Sequence, residues 1–119
     1  MAHPQVAAFA RLANGGAKPT RAIAGQNTQF TRTIHDMAYD HIHDEIVVPQ
    51  FMTFAILTFA GNADGNVPPI RKIFGPDTQI KNNDAVSIDP VHNEYFVPQD
   101  DNRLLVFDRM TNGNAKPNS

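Results

Sequence analysis

Apolar residues fall in short bursts along this chain, and polar turn formers separate them. From residue 35 onward the bursts read "HDMAYD" (35–40), "EIVVPQ" (45–50), "AILTFA" (55–60) and "PIRKIFG" (69–75). "AVSID" (85–89), "EYFVPQ" (94–99) and "LLVFD" (104–108) follow, while "VAAFARL" (6–12) and "PTRAIAG" (19–25) come before. Most are four to seven residues long, rich in Val, Ile, Phe or Tyr, and bounded by Gly, Asn, Asp or Pro, which predicts short strands. None sustains a 3.6-residue period over ten or more positions, so no helix is expected. "ADGN" (63–66) and "NGNA" (112–115) supply the Asp-Gly and Asn-Gly steps that accept positive φ in tight turns. Gly25 and Gly75 close the strands that precede them.

The bursts repeat. Aligned without gaps, 9–29 and 59–79 are identical at ten of 21 positions, among them Phe9/Phe59, Gly15/Gly65, Pro19/Pro69, Arg21/Arg71, Ile23/Ile73, Gly25/Gly75 and Thr28/Thr78. "DHIHDEIVVPQ" (40–50) matches "DPVHNEYFVPQ" (89–99), "AILTF" (55–59) matches "RLLVF" (103–107), and "NGGAKP" (14–19) matches "NGNAKP" (112–117). The spacing drifts from 50 to 49 to 48 as single residues drop out of loops. A period near 49 residues with four strands, lettered a to d in chain order, predicts an all-β chain built of four-stranded antiparallel β-propeller blades.

These residues, "D…hxE..VpQ…aIltF…GN..piR.I.G..T", resemble the NHL-type repeats of six-bladed-type propellers, over about two and a half repeats and nearly the whole chain after Val6. The resemblance implies blade architecture. It does not choose a function, because that fold hosts lactonases, lyases, RNA binders and protein-binding platforms.

Within a single 119-residue unit, the strands then divide as c–d at 6–25, a complete a–b–c–d at 35–75, and a–b–c at 85–107, with 108–119 starting the next c–d turn. A propeller closes with at least about four blades, so about two blades per chain are expected to be completed by oligomerisation. Three chains would make a six-bladed ring and four an eight-bladed one. Two 49-residue repeats take up 98 of the 119 residues, and the 21 left over duplicate a third strand and its turn. One copy is therefore expected to be displaced, disordered or added as an outer strand. The alternative is an open head-to-tail filament, since contacts that do not close on themselves propagate.

Charge and composition narrow the partners. The net charge is −2 with no basic run, which argues against nucleic acid. Cysteine is absent, which excludes disulfides and thiolate chemistry. No stretch approaches the roughly 18 apolar residues of a membrane span, and "MAHPQVAAFARL" lacks the charged start and apolar core of a signal peptide. The chain reads as soluble, with no membrane partner.

Positions shared by the repeats are most simply structural. Arg21/Arg71 are expected to hydrogen-bond at a blade edge, and Asp40/Asp89 to cap the turn that follows them. The pairs His43/Glu45 and His92/Glu94 have metal-compatible side chains but few further ligands, so no metal and no cofactor is expected. No G-x-S-x-G, H-E-x-x-H or Walker sequence is present, and no catalytic residue is assigned. Where the copies differ, a site is easier to place. The d–a and b–c connections emerge at one end of a blade. They make Arg32, His35, Asp36, Lys81, Asn82, Asn83 and Asp84 candidate ligand contacts at a channel mouth, with Phe51 and Met52 further out as partner contacts. The leading expectation is a non-enzymatic, self-assembling scaffold with a ligand- or protein-binding face. A metal-dependent lactonase- or lyase-like enzyme is the alternative, with His35, Asp36 and Asp84 as its only suppliers of chemistry.

Overall fold

A computed structural model describes residues 4–32 and 34–118. Met1–His3 of the stretch read for a leader, Thr33 of the first d–a connection, and Ser119 lie outside them. The described chain is all-β, in three antiparallel sheets. β1 (Gln5–Ala8) and β2 (Arg21–Ala24) form a two-stranded ribbon. β3 (Ala38–Asp40), β4 (Glu45–Gln50), β5 (Ala55–Ala60) and β6 (Arg71–Ile73) follow in sequence order as a four-stranded meander. β7 (Ser87–Asp89), β8 (Glu94–Pro98) and β9 (Leu104–Asp108) form the third sheet.

The sheets stack face to face in chain order. Side chains alternate along a strand, so β4 sends Ile46 and Val48 toward β2 and Val47 the other way. Ile46 and Val48 join Ile23, Ala55, Leu57 and Phe59 in one apolar layer. Val47 joins Ile56, Ile73, Tyr95, Val97, Leu105 and Phe107 in a second. β4 and the first five residues of β5 are buried throughout because a sheet covers each of their faces. β8 and β9 instead alternate, since only one side of the third sheet is packed. Phe59 and Phe107 hold equivalent positions in successive repeats, and each is at most 1% exposed. Burying one such ring stabilises the fold by about 1.5–3 kcal/mol.

A backbone clasp joins each sheet to the next. The turn after β5 lays Gly65 beside Ile23 as a parallel bridge, with Gly65 N–H donating to Ala22 O (2.7 Å) and Ala24 N–H to Gly65 O (3.1 Å). Gly113 does the same beside Ile73, through Lys72 O (2.6 Å) and Phe74 N–H (3.1 Å). Asp64 and Asn112 each accept from the strand they clasp, at Ala22 N–H and Lys72 N–H (both 3.0 Å). Asn66 and Asn114 cap the following 3-10 turns at Asn27 N–H (2.7 Å) and Asp77 N–H (2.8 Å).

Several strands are shorter than their apolar bursts. His35–Met37 precede β3, and Phe9–Leu12 belong to an exposed turn rather than to β1. Short 3-10 turns at Gln26–Thr28 and Pro76–Thr78 were not among the expected elements. Each is held by a buried threonine whose hydroxyl donates to the glycine carbonyl three residues back, Thr28 to Gly25 (2.6 Å) and Thr78 to Gly75 (2.7 Å).

Candidate binding face

Strands a and c run one way and b and d the other, so the b–c and d–a connections share one end of each sheet. The repeated Pro-Gln that closes strand b ties them together. Gln50 Oε1 accepts from Thr31 N–H (2.6 Å) and its hydroxyl (3.0 Å), and Gln99 Oε1 accepts from Lys81 N–H (2.6 Å). Both glutamines are nearly buried, at 1% and 7% exposure. Their amides hold the d–a connections over the strand ends, a role that the repetition of "VPQ" signalled but that sequence reasoning did not draw.

The candidate residues lie along these connections. His35 is exposed and meets the Phe51 ring edge-on, with centroids 5.7 Å apart. Phe51, a candidate partner contact, thus touches one of the candidate ligand contacts. Met52 is 64% exposed. Asp36 is half-buried and its carboxylate accepts from Val86 N–H across the repeat boundary (3.3 Å). Arg32, Lys81, Asn82 and Asp84 are exposed, and Asn82 has positive φ (50°). Asn83 is fully buried; its Nδ2 donates to Ala55 O (2.9 Å), and its Oδ1 has no partner among the described residues.

Two cavities open at this end, one per repeat. One, of about 390 Å³, lies between Phe54, Phe74, Gly75, Pro76 and Ile80. The other, of about 540 Å³, lies between Pro4, Ala24, Gly25, Gln26 and Phe30, the same five positions fifty residues earlier. Lys72 Nζ sits 4.4 Å from the centroid of the Phe74 ring and donates to Gln29 Oε1 (2.6 Å). The first cavity is a mainly apolar slot, and Phe74, one of the rings that line it, also carries the Lys72 ammonium. Such slots suit ligands with an apolar body and few polar groups.

The metal-compatible pairs have other partners. His43 lies in the turn before β4, and its Nδ1 is 2.8 Å from Asp40 Oδ2. Asp40 Oδ1 accepts from the Ile42 and His43 N–H groups (3.0 and 2.9 Å). Burial pushes the Asp40 carboxyl up, but together these bonds outweigh it and hold the group below the usual range. His92 pairs with Asp89 in the same way at 2.7 Å. That bond, on an exposed surface, raises the His92 pKa and lowers that of Asp89. Glu45 accepts from Arg71 and from Arg109 Nη1 (3.1 Å). Among the described residues, no three His, Asp or Glu side chains come together as a metal site.

The arginines couple repeats. Arg21 donates to Gly61 O through Nε (3.1 Å) and Nη2 (2.8 Å), and Arg71 donates to Arg109 O through Nε (3.0 Å). Each thus grips the end of strand c in the next sheet. Burial opposes the Arg71 charge, but the bonds to Glu45 and Tyr95 raise its pKa above the usual arginine value.

No family model matches the chain, and neither a curated protein nor a solved structure matches it. No helix among the described residues is long and apolar enough to cross a membrane.

Proposed function

We propose that this chain is a self-assembling subunit of an NHL-like β-propeller and that it works as a non-catalytic binding scaffold. What supports the reading is the clasp between sheets, made twice from equivalent residues: Gly65 on β2 and Gly113 on β6. A junction that repeats within a chain is a rule for adding further units, and about two blades per chain need partners to close a ring. The paired cavities beside the b–c connections supply the face on which a ligand or protein would sit.

Mass measurement in solution tests it. A discrete complex of three or four chains is expected. Growth without a fixed size would replace the ring with a filament of the same subunits. A monomer at tens of micromolar would overturn self-assembly.

A further inference from the structure

The two ends of the sheet stack carry complementary halves of a polar cluster that is complete only in the middle. In the second sheet, Arg71 on β6 makes three hydrogen bonds: Nε donates to the next sheet at Arg109 O, and Nη2 donates to Glu45 at the start of β4 and to Tyr95 OH (3.5 Å). Arg21 is its counterpart on β2. It makes the first bond, to Gly61 O, and reaches no carboxylate among the described residues. Glu94 is the counterpart of Glu45. It is half-buried at the start of β8 and makes no side-chain hydrogen bond or ion pair among the described residues. Across the ladder it faces Asp108, where Glu45 faces Ala60. Like charges placed opposite each other on a sheet are destabilising, so this edge calls for a cation that Glu45 already has.

The strand position beside β9 is defined as well. Asn118 N–H donates to Val106 O (2.7 Å), as Ile70 does to Thr58 O (2.8 Å) and Thr20 to Ala8 O (2.7 Å). In those two sheets the next residue is the arginine, Arg71 or Arg21; here it is Ser119, which has no guanidinium.

We propose that β2 of a second copy of this chain pairs with β9, placing its Arg21 opposite Val106 and against Glu94. The register of β5 with β6, Thr58↔Arg71 and Ile56↔Ile73, carries over as Val106↔Arg21 and Leu104↔Ile23. β2 leaves β1 to do so. β1 holds it through four residue pairs and sends only the half-buried Val6 to the edge of the first apolar layer. Residues 9–20 between the two strands are all exposed, so opening the ribbon withdraws Val6 and leaves the buried side chains of that layer in place. Thr20 replaces Asn118 as donor to Val106 O. Arg21 keeps its bond to Gly61 O within its own chain, and Arg71 keeps its bonds to Arg109 O, Glu45 and Tyr95. Leu104, now 54% exposed, gains a cover.

This inference rests on the self-assembly proposed above, and charge reversal separates the two. Sedimentation of the full chain is compared with that of Glu94→Arg, Arg21→Glu and the double variant, each checked for fold by circular dichroism. Each single reversal is expected to weaken assembly at least about tenfold, and the double variant to recover it, because like charges brought together at an interface suppress binding and a restored opposite pair does not. If Glu94→Arg does not fold, Glu94→Gln is expected to weaken assembly several-fold. A Glu94→Arg variant that assembles as tightly as the parent would overturn the Arg21–Glu94 junction and leave self-assembly standing. So would a double variant that stays as weak as its parents. A parent chain that is monomeric throughout would overturn both.

Discussion

At the scale of single residues, the polar side chains that the two repeats share act as fasteners. Asp40 and Asp89 each tie a histidine and backbone N–H groups of the following turn. The sequence suggested the caps, because Asp at a strand end commonly makes them. His43 and His92 are metal-compatible by residue type, with few further ligands in reach of the pattern, and residue type alone does not reveal which neighbour holds a ring nitrogen. The outer pair offers a clean test. The bond to Asp89 raises the His92 pKa and lowers that of Asp89. The His92 contribution is complete below its unfolded pKa of about 6.5 and disappears as pH rises through the higher folded value. The Asp89 contribution is complete above about 3.8 and disappears as pH falls through the lower folded value. The pair therefore supports the fold most between roughly pH 4 and 6.5. NMR titration of the His92 ring is expected to give a midpoint above 6.5 that falls toward the ordinary value in Asp89→Asn. An unchanged midpoint would mean that the hydrogen bond does not form in solution.

At the scale of elements, the strands were legible and their couplings were not. β4, β5 and β9 match their apolar bursts residue for residue, since uninterrupted runs of Val, Ile, Leu and Phe leave little choice of boundary. Outer strands are shorter than their bursts. The second half of "PIRKIFG" turns away at Gly75, where φ is 136°. Gly25 and Gly75 were read simply as strand ends. A Cβ at Gly25 would strike the Asn66 side chain, and one at Gly75 that of Asn114. The two glycines and two asparagines are thus partners across repeats, a relation that spans 41 and 39 residues of sequence and that no local pattern reveals. Gly75→Ala is expected to destabilise the chain by about 1–3 kcal/mol, from positive φ alone and more from the collision. Asn114→Ala is expected to cost about 1 kcal/mol, the value of its bond to Asp77 N–H. In the double variant the collision is relieved, so the combined loss should fall short of the sum. Strict additivity by thermal or urea denaturation would show that glycine and asparagine do not meet.

At the scale of the whole molecule, three sheets in a row with a clasp at each boundary make stability a property of neighbours. In such arrays each unit is held by its own contacts plus those with the next. The second sheet has a covered face on both sides; the first is a ribbon of two four-residue strands, and the third is covered on one side. Local opening should follow that order. Amide hydrogen exchange is expected to be slowest in β4 and β5, faster in β8 and β9, and fastest in β1, whose Gln5 and Ala7 are exposed. The gap between β4 and β1 should approach the full unfolding free energy, because terminal elements open at almost no cost while central strands exchange through global unfolding. The same gradient makes β2 able to leave β1 for a neighbouring copy. Assembly is then expected to protect the amides of β9 by giving that edge a partner, while those of β1 exchange even faster. If β1 were as well protected as β4 in the isolated chain, β2 would not be free to exchange partners, and assembly would have to proceed through surfaces other than β2 and β9.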